Sequence, residues 1–157
     1  RRPVDPPPVI DLHVFRGDQD VLTGRTIQCQ NMFILQATLH AATGKGTGYR
    51  DYSSPPQTSN LIGSTVASVN FMKHPPPGRA YFLFQDLSIR QEGHYRLIFT
   101  LFEICSNEGV AVCRAQVSSD AMTVYSPKKF PGLDISSALM REIASQGGKV
   151  RIRREAR

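Results

Sequence analysis

The stretch 94–105, HYRLIFTLFEIC, constrains this chain more than any other. Tyr95, Leu97, Phe99 and Leu101 recur with a period of two. That spacing puts them on one face of an extended strand, since successive side chains of a strand point to opposite sides. Asn107, Glu108 and Gly109 then supply turn chemistry, and 110–117 resumes as an apolar run, so the two segments read as a hairpin. A hairpin with one apolar face needs a second layer to cover it.

The rest of the chain supplies such layers. Residues 9–15 alternate, with Ile10, Leu12 and Val14 on one side. Residues 28–40 suit a second strand, a short helix being the alternative there. Residues 61–72, with Thr65, Val66, Val69 and Phe71, read as another strand, which KHPPPGR at 73–79 interrupts. Residues 81–84 and a short run ending at Tyr125 complete the set. The leading RRPVDPPP is stiff and extended, because proline fixes φ and removes an amide donor, and it is excluded from a sheet interior. Residues 41–60, rich in Gly, Ser, Thr and Pro, read as a long surface loop. A helical period arises only after Pro131. Asp134 suits the N-cap, Ile135, Leu139 and Ile143 form the stripe, Met140 and Ala144 widen it, and Gly147 ends it. Short strands with turn signals and one late helix imply a single β-sandwich domain of 157 residues.

Charge narrows the choice of partner. Nineteen Lys and Arg oppose thirteen Asp and Glu, a net +6, which favours polyanions over neutral partners. Cys29, Cys105 and Cys113 lack metal-ligand spacing, and their odd number disfavours a secreted disulfide framework. They read as small buried hydrophobes, with Cys105 and Cys113 able to face each other across the hairpin. No apolar run reaches the ~20 residues that span a bilayer, and no signal peptide opens the sequence. A soluble intracellular protein is expected, without a membrane partner.

Four segments taken together carry a resemblance: PVDPPPVI at 3–10, FLFQDLSIRQEGHYRLIFTLFEI at 82–104, VYSPKKFPGL at 124–133 and QGGKVRIRREAR at 146–157. In that order they resemble the velvet domain of fungal developmental regulators. The resemblance spans nearly the whole chain and is weakest across 41–60. It implies an immunoglobulin-like β-sandwich similar to the Rel homology domain, with one helix in the C-terminal region. It further implies a nuclear regulator, able to shuttle with the cytoplasm, that binds double-stranded promoter DNA and pairs with itself or another velvet protein. Sporulation, development and secondary metabolism are the processes implied. In the family, basic residues at the start of the P-V-D-P-P-P segment contact DNA, and here only Arg1 and Arg2 match. Velvet domains usually carry a further stretch upstream, with a strand and more basic residues, which is either absent here or lies outside the given sequence.

Read from the residues, the tail 149–157 is the strongest basic feature: Lys149, Arg151, Arg153, Arg154 and Arg157 stand against Glu155 alone. As a strand it would send Val150 and Ile152 one way and Arg151 and Arg153 the other, a row of guanidinium forks suited to phosphate and guanine edges. A solvated strand face or a nuclear import signal is the competing reading. Lys128 and Lys129 occupy a loop before the helix, a second candidate contact. The glycine-rich 43–48 fails as a P-loop, which needs G-x-x-x-x-G-K-[ST] between strand and helix, yet Lys45 and Arg50 could touch phosphate. The segment 86–93 reads as a turn joining strands, with Asp86 and Glu92 in reach of Arg90. His13, His40, His74 and His94 are scattered and form no metal pattern. No nucleophile elbow or cofactor signature is present, so no catalytic residue, cofactor, metal or small-molecule substrate is expected. The alternative to DNA binding is an interaction module that dimerises with another velvet protein and directs its localisation, through an exposed sandwich face or the helix stripe Ile135, Leu139 and Ile143.

Overall fold

The computed structural model describes residues 3–20, 32–42 and 54–155. The protein is mainly β, arranged in antiparallel sheets with one short helix among the described residues. The larger sheet is built on β10 (Gly93–Cys105), which pairs β4 (Met32–Ala41) on one side and β11 (Val110–Ser118) on the other. Beyond β4 lies β6 (Val66–Ser68), and β12 (Met122–Val124) pairs the start of β10. The smaller sheet runs β1 (Val9–Leu12), β8 (Arg79–Leu83), β7 (Asn70–Met72). Two short pairs, β2 (Phe15–Arg16) with β3 (Gln19–Asp20) and β5 (Leu61–Ile62) with β9 (Ser88–Ile89), complete the strands among the described residues.

Period-two patterning explains the layering. Leu35, Ala37, Leu39, Leu97 and Phe99 from the larger sheet meet Leu12, Ala80 and Phe82 from the smaller one in a single buried cluster. Phe84 stacks at a tilt on Phe99, ring centres 5.3 Å apart, within the spacing that favours aromatic pairs. The opposite face of the smaller sheet, through Met72, Tyr81 and Leu83, receives Met140 and Ile143 of α1 (Ala138–Ser145). Leu139, Val150 and Ile152 pack on that second cluster. The result is three layers: large sheet, small sheet, then helix with tail. Burial in this second cluster also pushes the Tyr81 phenol up, away from ionisation.

Several expectations shift. The 61–72 stretch is three strands, not one. After β5 the chain turns at Gly63, where a Cβ would collide with the Asp86 carbonyl oxygen, and Asp86 accepts from the Ser64 amide at 3.0 Å. Then β6 joins the larger sheet and β7 the smaller, so the chain changes layer at Val69. The helix starts later than Asp134. Asp134 accepts from the amide next to it, Ile135, at 2.7 Å, and Ser137 is the N-cap, accepting from Met140 at 3.3 Å. Ile135 lies outside the helix and is 51% exposed. Ile143 is fully buried, so the helix stripe is consumed by the core. Gly147, at φ 92°, follows the C-cap Gln146 as expected.

The 105–110 hairpin forms, but Cys105 lies opposite Val110 and Cys113 opposite Phe102, so the thiols do not face each other. The register between those two pairs is continuous, which places the cysteines three residue pairs apart along the ladder. Cys113 is exposed and Cys105 partly so, contrary to the buried reading, because β11 is an edge strand among the described residues. Cys29 lies outside the described residues, as do Arg1, Arg2, Lys45 and Arg50.

Candidate nucleic-acid interface

Several loops leave the layers at one end. Gly93, first residue of β10, sits opposite Val124, last of β12, so 86–92 and 125–133 depart from the same edge. The Ala42 amide donates to the His94 carbonyl at 2.9 Å, which ends β4 beside them. The Val4 amide donates to the Leu87 carbonyl at 2.6 Å and brings the proline-rich segment to this end. A cleft of about 820 Å³ joins Pro3, Val4 and Asp5 to Gln85, Leu133 and the tail from Lys149 to Glu155.

The tail is extended but is not a sheet strand. Its anchor is Arg153, whose amide donates to Ser136 Oγ at 2.9 Å while its carbonyl accepts from the Ser136 amide at 3.0 Å. Val150 and Ile152 turn inward as the alternation required, and Lys149 and Arg151 are exposed. Arg153 departs from that pattern. Its Nη2 donates to Asp5 and its Nε to the Asp134 carbonyl at 3.0 Å, and its side chain is only 18% exposed. Arg153 thus clasps the N-terminal segment to the tail, with little of its fork left for an outside partner.

The basic residues divide into engaged and free sets. Arg79 donates to Asp11 at 2.6 Å, and that hydrogen bond holds its guanidinium above its ordinary pKa against the opposing effect of burial. Arg114 pairs with Glu103, Arg96 donates to the Ser119 carbonyl, and Arg141 to the Ser136 carbonyl. Lys128, Lys129, Lys149, Arg151 and Arg154 are exposed, and none makes an ion pair among the described residues. Lys128 and Lys129 project from a turn closed by the Lys129 amide on the Ser126 carbonyl at 3.0 Å.

Arg90 joins the free set, which the sequence reading did not anticipate. Neither Asp86 nor Glu92 pairs with it; Asp86 is held by Ser64. The Asn60 side chain accepts from the Arg90 and Gln91 amides at 3.0 and 2.9 Å, fixing the loop backbone while the guanidinium stays exposed. The available signal was an arginine in a turn segment, but nearby carboxylates made a local ion pair the simpler reading. At this end the free cations outnumber the carboxylates without a hydrogen bond among the described residues, Glu92 and Glu155. Such an array can take successive phosphate oxygens, with the Arg forks also able to reach base edges.

These features define a mainly β domain whose loops gather cations at one end. The velvet-factor family profile matches residues 48–157, and the chain belongs to the velvet family. It is 40% identical over its whole length to "Developmental and secondary metabolism regulator VEL1" of Cochliobolus heterostrophus, of which it spans 28%. It is likewise 40% identical to the regulator MVE1 of Zymoseptoria tritici, spanning 66%, and to veA of Aspergillus fumigatus, spanning 32%. The chain therefore corresponds to less than two thirds of these relatives.

Proposed function

We propose that this chain is the DNA-binding part of a nuclear regulator of fungal development, sporulation and secondary metabolism, acting on promoter DNA as a homo- or heterodimer. The observation that carries the reading is the gathering of Arg90, Lys128, Lys129, Lys149, Arg151 and Arg154, all unpaired among the described residues, around one end of the layers. The names of the relatives supply the developmental and metabolic role. A duplex laid across that end would be held through its phosphates, and a dimer would present two such ends to one duplex.

The test is fluorescence anisotropy with duplex DNA over a salt series. Each phosphate contact contributes about 0.9 to the slope of log affinity against log salt. Alanine at Lys128, Lys129, Lys149, Arg151 and Arg154 together should lower that slope by about 4.5 and leave only weak binding. An unchanged slope would sink the assignment of the surface. The second reading, a module that mainly pairs with another velvet protein, draws on β11. This edge strand has no neighbour on its outer side among the described residues and exposes Val110 and Val117, each 43% accessible. Sedimentation of wild type and Val117→Lys separates the two: loss of the dimer with retained DNA contact favours a pairing role for β11 only.

A further inference from the structure

The sequence contains two Ser-Pro steps, at Ser54-Pro55 and Ser126-Pro127, and the structure treats them differently. The Ser54 hydroxyl donates to the Ala41 carbonyl at 3.3 Å, and its carbonyl accepts from His40 Nδ1 at 2.8 Å. Pro56 and Gln57 follow it, with no cation. Ser126 is half-buried, and its hydroxyl has no hydrogen bond among the described residues. Lys128 and Lys129 follow at the second and third positions. One backbone bond, Lys129 to Ser126, closes the turn, and residues 125–133 belong to no strand or helix. Outside any sheet ladder or helix, and with the Tyr125 and Phe130 rings meeting edge to face within it, this segment opens locally at less cost than the sheets do.

A serine followed by proline and then by a basic residue is the pattern that proline-directed protein kinases accept, and the open form is the extended chain they bind. We propose that Ser126 is a phosphoacceptor for a kinase of this class, and that its phosphate switches off the cationic end; this rests on the DNA-binding reading above. In the transfer, the bond from the γ-phosphorus of ATP to the bridging oxygen breaks and a bond from Ser126 Oγ to that phosphorus forms. ADP leaves, and the hydroxyl proton passes to the carboxylate base of the kinase. The product carries a charge of about −2 beside Lys128 and Lys129, with three strong acceptor oxygens. Charge-assisted hydrogen bonds from both lysines then turn inward to the phosphoserine, and the remaining negative charge repels a DNA backbone.

The whole chain would be treated with a cyclin-dependent kinase and ATP, and mass spectrometry would locate the phosphate. One phosphate on Ser126, absent from Ser126→Ala, is expected, with Ser54 left unmodified. DNA affinity of the modified protein should fall by about tenfold or more near 0.1 M salt, with a slope smaller by about 2 for the two lysines withdrawn. Ser126→Ala should bind DNA like wild type, with or without kinase. Phosphate on Ser126 without loss of affinity would overturn the proposal, as would no phosphate there while a control peptide is modified. If the untreated protein shows no salt-dependent DNA binding, the switch falls with the reading beneath it. The phosphate map then shows whether that failure lies in binding or in modification.

Discussion

Replacing Arg153 by alanine removes a cation from the basic tail, yet its main effect should be on stability. The Arg153 and Asp5 side chains are only 18% and 17% exposed, and the guanidinium also donates to the Asp134 carbonyl. Breaking a buried ion pair from one side costs ~3–5 kcal/mol, whereas an exposed pair is worth ~0–1. A mostly covered pair with an added carbonyl acceptor sits between, so Arg153→Ala should destabilise by about 2–3 kcal/mol. For a domain of this size that is roughly 5–10 °C in melting temperature. Urea denaturation of Arg153→Ala, Asp5→Ala and the double variant would give a coupling of about 1–2 kcal/mol, since residues in contact fail to add. DNA titrations under conditions where every variant is folded complete the test. Arg153→Ala should keep the wild-type salt slope, while Arg151→Ala should lower it by about 0.9 and leave stability within ~0.5 kcal/mol. If Arg153→Ala lowers the slope as Arg151→Ala does, or costs under ~0.5 kcal/mol, the clasp is wrong and Arg153 belongs with the DNA contacts.

Ile143, with no accessible surface, should lose about 2–4 kcal/mol on truncation to alanine, read from the urea midpoint at unchanged slope. Gly63→Ala should cost about 1–3 kcal/mol, because φ is 103° and the new methyl would collide with the Asp86 carbonyl; a neutral result would show that this turn relaxes. Arg114→Ala, half exposed beside Glu103, should shift stability by no more than ~1 kcal/mol, and by less in 1 M salt.

The strands were legible where side-chain period and burial agree. The expected 94–105 strand is β10 almost to the residue, and the turn at 107–109 closes its hairpin. Legibility failed where a distant partner decides the local conformation. Asp134 has the chemistry of an N-cap, but Ser136 is bonded on both sides to Arg153, which keeps the backbone extended until Ser137. Nothing within 134–143 reports an arginine seventeen residues away. Alternation in 149–154 foretold that Val150 and Ile152 turn inward, yet it could not foretell that Arg153 meets Asp5 from the far end of the chain. The exposure of Cys113 follows from β11 lying at an edge, a property of strand order that the sequence of one hairpin does not contain. Among the basic candidates, type and rough location were readable, and the split between engaged and free side chains was not.

The change of layer at Val69 has a mechanical consequence. Strands β6 and β7 are hydrogen-bonded to different sheets and joined by that one residue. A force parting the sheets is therefore passed directly along the backbone from one ladder to the other, with no slack loop to absorb it. Those amide hydrogens of 66–68 and 70–72 that are bonded into their ladders should exchange at similar rates, so that the two sheets behave as one cooperative unit.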